Sequence, residues 1–513
     1  MKIETIVDKV FLNKEEKKFI KSNKAKNIKG PSDGNHIILE INNDYFALIH
    51  NTYLINDKKF KDKKFIGLWT PCMQREKGLL NFFKFIIKYT VLTIEKNKWI
   101  KIYKSIGVQD VICINDDFKT NFFNYKNSFV KRNLEIKNKK EYLNLKFKDI
   151  LVGELMYDFY LRYYKKFQLN FKDKYEIIKI SNFVQCFYKN LNSIILKFNK
   201  KKIDRYIPWQ TCYIQCGIPV RFFLKNGIKT IGKSQEVFSK KYTIKDSFQT
   251  LFFEDLRKDF LKLKYKKKNI NKGFKSLKLK YQGKINSEIN YLQFSSYNNK
   301  NFSNIKKNID IVIFLPDFVD SPHSFGGKFV FSDFYDWIIA TLKFLENYKN
   351  LNIAIKPHPN ARYASKIGEE ILKKNFSSNI WLDRNISNHS IFKKKPLFSI
   401  SPRGSVLFDL AYHGIPSIAF GRNPCMAYPF TFTAMIKKQY FNFIKQGINK
   451  NLKLPKNYKD LVAECYFMNY LNKNEYFETI SSKVKLKNYR SASTTTNISI
   501  LKKYNEGFFN KLI

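Results

Sequence analysis

From residue 309 onward, short apolar runs alternate strictly with helical segments, and this pattern constrains the fold more than any other feature. IDIVIFLP (309–316), LNIAIKPHP (351–359), PLFSIS (396–401) and IPSIAFG (415–421) are β-forming runs. Between them lie DFYDWIIATLKFLENY, RYASKIGEEILKKN and GSVLFDLAYHG, each with helical periodicity. Strands that are apolar throughout have both faces buried, so the pattern implies a parallel sheet covered by helices on each side.

The first half repeats the theme more loosely. HIILEI (36–41), FIGLW (65–69) and VICI (111–114) read as strands, and 77–105 as a long helix. Residues 203–231 form a βαβ step: IDRYIPW as strand, CGIPVRFFLKNG as a helix closing on Gly227, and IKTIG as the next strand. The expected class is α/β, with two Rossmann-like domains facing each other across a cleft and a C-terminal helical tail. The boundaries are 1–235, a lysine- and asparagine-rich linker or exposed insertion over 236–305 with one amphipathic helix at about 246–263, a second domain over 306–435, and a helical extension over 436–513. SASTTT (491–496) reads as a flexible stretch of that extension.

A net charge of +51 first suggests a nucleic-acid binder, but only 11 of the 94 basic residues are arginine. Arg is the side chain whose planar fork grips phosphates and guanine edges. Lysine abundant alongside Asn, Ile, Phe and Tyr reads instead as compositional drift over a solvated surface, and no nucleic-acid partner is expected. Such a surface also favours peripheral contact with anionic membranes. The seven cysteines, at 72, 113, 186, 212, 216, 425 and 465, form no CxxC pair or zinc spacing. MKIETIVDKVF lacks the apolar core of a signal peptide. The most hydrophobic stretch, Phe82 to Ile94, is interrupted by Lys84 and Lys88 and falls short of the roughly 20 residues a spanning helix needs. The expectation is a cytoplasmic protein, at most peripheral to the inner membrane face.

Ligands of parallel α/β sheets bind beyond the carboxyl ends of the strands. Three loops of the second domain occupy that edge. LPDFVDSPH (315–323) places Asp317, Asp320 and His323 after a strand, as acid/base candidates. IKPHPN (355–360) holds Lys356 and His358 on a proline-stiffened loop suited to phosphate oxygens. SPRGSVLFD (401–409) brings Arg403, Gly404 and Ser405 to a helix start, with Asp409 one turn further in where it could meet ribose hydroxyls.

Together KPHP and RGSVLFD…HGIPSIAFG resemble the donor-binding half of GT-B glycosyltransferases, and more narrowly the capsule polysaccharide biosynthesis proteins. DILVGELMYDFYLR (149–162) is similar to a segment of surface-polysaccharide transferases. The resemblance implies a nucleotide-sugar donor held by Lys356, His358, Arg403, Gly404, Ser405 and Asp409, with no cofactor. It implies a glycan or lipid-linked glycan acceptor on the first domain, with Glu154 and Asp158 as base candidates beside Asp320 and His323. Asp409 stands where retaining members carry one of two glutamates, which favours inversion. No D-x-D occurs in the chain, so no metal is expected. Two alternatives stay open: glycerol-phosphate transfer from CDP-glycerol, which would use the same phosphate-binding residues, and a basic nucleic-acid-binding protein, which leaves the three loops unexplained.

GIKTIGKS (227–234) matches the phosphate-loop expression letter for letter. Its middle residues, Ile, Lys, Thr and Ile, read as a strand, whereas the chemistry requires a loop between strand and helix. The match is taken as accidental.

Overall fold

The computed structural model describes residues 11–24, 35–43, 45–55, 60–70, 79–114, 138–233, 239–242, 253–282, 297, 305–323 and 329–472. The first half contributes strands β1 (His36–Ile41), β2 (Lys64–Trp69) and β3 (Val108–Cys113). A short hairpin follows, β4 (Lys146–Phe147) with β5 (Ile150–Leu151), and then β6 (Ile203–Ile207), β7 (Lys229–Lys233) and β8 (Ser239–Tyr242). Sheet order is β3-β2-β1-β6-β7-β8, with only β8 antiparallel to its neighbour.

The second half supplies β9 (Ile311–Phe314), β10 (Ile353–Lys356), β11 (Ile380–Trp381), β12 (Phe398–Ile400), β13 (Ser417–Phe420) and β14 (Thr431–Ala434). They form an all-parallel sheet in the order β11-β10-β9-β12-β13-β14. Both sheets therefore share one connectivity. The chain enters at the centre, adds two strands to one side, then crosses to build the other, so each sheet reverses direction beside its first strand.

Alternation along each strand explains why both faces had to be apolar. Ile37, Leu39 and Ile41 pack with Trp99, Ile102 and Tyr103 of helix Leu79–Ser105, whereas Ile38 faces the layer holding Leu155, Ile180 and Phe222. In the second sheet Ile311 and Ile313 meet Trp337 and Ile338 of helix Phe334–Leu345. Val312 and Phe314 meet Ile391 and Leu410 on the reverse face.

Two sequence expectations change. The 236–305 stretch is not merely a linker. Helix Lys266–Tyr281 buries Gly273, Ser276, Leu277 and Lys280, and packs on helix Tyr458–Tyr466. The C-terminal helical extension supplies the other side of that contact through Leu461, Val462 and Ala463, so it is part of the packed core. Of the helix expected near 246–263, the described part is Leu256–Leu261; residues 243–252, like SASTTT, lie outside the described residues. At the helix crossing a Cβ on Gly273 would overlap the Ala463 carbonyl. Gly273→Ala should therefore destabilise the fold by about 1–3 kcal/mol despite the better helix propensity of alanine. A urea midpoint equal to or above wild type would show that the two backbones do not touch.

The phosphate-loop match falls as its middle residues suggested. Gly227, at φ +75°, ends helix Tyr213–Lys225, and Lys229–Lys233 is strand β7, parallel to β6. Backbone committed to a sheet cannot wrap a phosphate. Ser234 lies outside the described residues.

The two halves touch along helix Gly153–Tyr163. Its Tyr157 hydroxyl donates to Asp333, and Lys139 Nζ pairs with Asp333 at 2.9 Å and Asp336 at 2.7 Å. Phe167 and Tyr335 bring their rings to 4.7 Å. The seam is polar and largely buried, which demands that every group in it find a partner.

Candidate functional site

The sheet order places β9 between β10 and β12, so the loops leaving these three strands lie side by side at one edge. Their side chains interlock. Arg403 Nη2 donates to the Pro322 carbonyl at 2.5 Å, tying the loop after β12 to the loop after β9. Arg362 Nη1 reaches Asp317 at 2.6 Å and Asp320 at 3.4 Å, tying the loop after β10 to the same segment. The Asp320 charge acts on both His358 and Arg403.

Lys356 closes β10 and is only 3% exposed. Among the described residues its ammonium has no hydrogen-bond or ion-pair partner. Burial pushes its pKa down to about 8, offset only in part by the Asp383 charge. Arg403 is likewise lowered, to about 10, first by burial and against the pull of Asp158 and Asp320. Its guanidinium lies 5.5 Å from the Phe329 ring centre and 5.2 Å from that of Phe334, while its Nη1 is buried with no hydrogen-bond partner. Two buried cations at the ends of the strands flanking β9, one with an unmet donor, are costly unless an anion meets them.

His358 Nδ1 accepts the Asn360 amide hydrogen at 3.2 Å, which leaves Nε2 to carry the proton and donate. Burial lowers its pKa, helped by the Lys356 and Arg362 charges, so the ring is neutral at physiological pH. Arg384 fixes this loop by donating to the His358 carbonyl at 2.9 Å while pairing with Glu369 at 2.7 Å. Gly404 has φ +124°, a conformation L-residues avoid, and a side chain there would face open space. The Ser405 hydroxyl caps nothing; the helix it precedes, Val406–Tyr412, is seven residues long.

The four base candidates separate. Asp158 and His323, 165 positions apart, meet at 2.6 Å between Asp158 Oδ1 and His323 Nδ1, both fully packed inside the seam. The His323 amide also donates to the same carboxylate, at 3.2 Å. His323 Nε2 lies 2.6 Å from the Ser332 carbonyl, which can only accept. Both ring nitrogens must therefore carry protons. Burial opposes that charge, but Asp158 together with Glu154 and the Ser332 carbonyl outweighs it and raises the pKa. The imidazolium keeps no lone pair and Asp158 is fully buried, so the pair fastens the two halves instead of moving protons. Glu154 is held by Arg221 at 3.1 Å. Asp320 differs. It is 60% exposed, with Arg162 and Arg362 each at 3.4 Å, and stands at the solvent edge of the cationic group.

Asp409 also requires correction. Its carboxylate is 1% exposed and bonds Lys280 Nζ at 2.6 Å, Tyr281 Oη at 3.0 Å and the Tyr297 hydroxyl. Buried and bonded by all three groups, it is unavailable to a ribose. It anchors helix Lys266–Tyr281 to the second sheet.

Sequence reasoning missed Arg162, Arg362 and Tyr213. Tyr213 and Ser321 both adopt left-handed backbone, at φ 60° and 45°, and their side chains hydrogen-bond across the two halves. Strained non-glycine residues persist where surrounding structure forces them, and they cluster at functional sites. Glu40 at the end of β1 supports that loop from behind. It accepts from the Trp209 amide at 2.7 Å and from Cys216 Sγ at 3.3 Å, while burial raises its pKa to about 7. One signal could have found the arginines: in a chain where lysine is the default cation, Arg162, Arg221, Arg362, Arg384 and Arg403 all gather here.

No protein-family model matches the chain, and no curated protein matches it in sequence. Among solved structures, KpsC of Thermosulfurimonas dismutans, described as a beta Kdo 2,4 transferase, matches over 52% of this chain and 80% of that one. The identity is 10% and the TM-score 0.29. The wall teichoic acid polymerase TagF matches over 92% of each chain at 11% identity and a TM-score of 0.20. At these scores neither likeness carries an argument about this chain, whose assignment rests on its own residues.

Proposed function

We propose that the chain is a glycosyltransferase that moves a sugar from a nucleotide-activated donor to a bacterial surface polysaccharide, by an inverting route without a metal. The observation that carries this reading is the pair of buried cations, Lys356 and Arg403, at the ends of the strands either side of β9 and flanking the loop of Asp320, with Arg403 Nη1 left without a hydrogen-bond partner among the described residues. The donor's phosphates are the ligand that answers such a site, and His358 adds a neutral donor beside them. Fixed positive groups aimed at a leaving phosphate supply the stabilisation that a metal would give elsewhere. Asp320, alone among the four base candidates in standing at the solvent edge of the cations, takes the proton from the acceptor hydroxyl. The motif resemblance of KPHP and RGSVLFD to GT-B donor domains supports the same reading. Only a donor screen separates sugar transfer from glycerol-phosphate transfer.

The test joins binding to turnover. One of CMP, CDP, UDP or GDP should raise the unfolding temperature, which identifies the donor class. Lys356→Ala, His358→Ala and Arg403→Ala should each lower transfer by about two to three orders of magnitude, and Asp320→Asn should act on kcat by about two orders or more. Full activity in the first three variants would reject the site.

A further inference from the structure

Helix Leu79–Ser105 carries a second surface, separate from the sheet edge. Its far side is ordinary: Phe85 is buried with Tyr89 stacked on it at 6.2 Å, and Trp99, Ile102 and Tyr103 enter the first core. The near side is not. Phe83, Ile87 and Val91 are 55%, 63% and 50% exposed, and Ile86 joins them. At 3.6 residues per turn these side chains share an exposed arc of roughly 140°. Lys84 and Lys88, both exposed, run along one rim of that arc. In later turns the same face carries Lys101 and Lys104. No acidic residue occurs between Leu79 and Ile94.

We infer that this helix face is a docking surface for an anionic phospholipid bilayer, with Phe83, Ile87 and Val91 entering the acyl boundary and Lys84 and Lys88 meeting the headgroups. The first four turns of the helix are strongly apolar, yet no described helix is long and apolar enough to cross a membrane. An exposed apolar stripe rimmed by lysines suits a helix lying in the interface. Charge selects the occupant. A second copy would bring another +51 chain and a matching lysine rim against this one, since a two-fold interface pairs a surface with itself. An anionic bilayer offers the opposite sign. The inference does not rest on the transferase reading, and vesicle binding is measured without donor or turnover.

The full chain is sedimented with vesicles of phosphatidylcholine alone and of phosphatidylcholine mixed with phosphatidylglycerol, at physiological salt. Wild type should bind only the anionic vesicles. Ile87→Ser with Val91→Ser leaves every charge in place, so attachment through lysines alone would survive it; the expected result is a loss of affinity of about tenfold or more. Lys84→Gln with Lys88→Gln removes no apolar contact and should cost about thirtyfold. Should the serine variant fail to fold, the glutamine variant carries the test. Equal binding by wild type and either variant overturns the proposal, as does equal binding to neutral vesicles. Sedimentation equilibrium showing a wild-type dimer that the serine variant dissociates would assign the stripe to a second copy instead.

Discussion

Lys356→Met should yield a protein that is more stable than wild type and inactive. Lys356 ends β10 as a buried residue whose ammonium has no ion-pair partner among the described residues, and burial lowers its pKa from 10.5 to about 8. That difference corresponds to about 3 kcal/mol borne by the folded state. The sign follows from linkage: the folded pKa lies below the unfolded one, so the penalty is complete below pH 8 and fades as pH rises toward 10.5. Methionine keeps the length and apolar stem without the charge. Its unfolding free energy at pH 7 should exceed wild type by up to about 3 kcal/mol, and the gap should close at high pH. Phosphate, pyrophosphate or the donor nucleotide should stabilise wild type more than the methionine variant, which keeps only Arg403 and His358 for the anion and no longer carries the cost that binding relieves at Lys356. A less stable Lys356→Met, or one stabilised by nucleotide as much as wild type, would mean that the lysine already has its partner within the fold.

Much of the second half was legible because its strands are buried on both faces. Ile311 to Phe314 and Ser417 to Phe420 have no polar alternation to confuse with an exposed strand. The three loops could be placed at one sheet edge for the same reason, since strand ends are where a parallel sheet opens to solvent. Long-range pairing was invisible. Lys280 looks like one more surface lysine in a basic stretch, and only the arrival of Asp409, 129 positions away, makes it a core residue. The same contact explains the misreading of Asp409. Helix Lys266–Tyr281 did leave a trace in Gly273, Ser276, Leu277 and Lys280, which share one face, but small residues and a lysine do not register as an apolar stripe. Asp158 and His323 were each singled out, yet nothing local reveals that they neutralise one another.

That pairing makes the largest stability prediction. Asp158→Ala should cost about 3–5 kcal/mol, because it strands a buried imidazolium and removes a countercharge of Arg403. The pH dependence separates this loss from simple cavity formation. His323 has a raised pKa, so its contribution is complete below the unfolded value of about 6.5 and declines as pH climbs through the folded one. The gap between wild type and Asp158→Ala should accordingly be widest near pH 6 and narrow in alkaline solution, whereas a cavity would cost the same at both. Replacing both residues, Asp158→Leu with His323→Leu, should recover most of the lost stability, since a buried pair can be exchanged for apolar packing while half a pair cannot. Activity should not return with it. The pair holds helix Gly153–Tyr163 against the loop that carries Asp320, and leucines offer no directional bond to set the two halves in register. Urea midpoints for the two single variants and the double variant at pH 6 and pH 9 decide the matter; an Asp158→Ala penalty that does not change with pH would show that His323 is neutral in the fold and that the seam is held by shape alone.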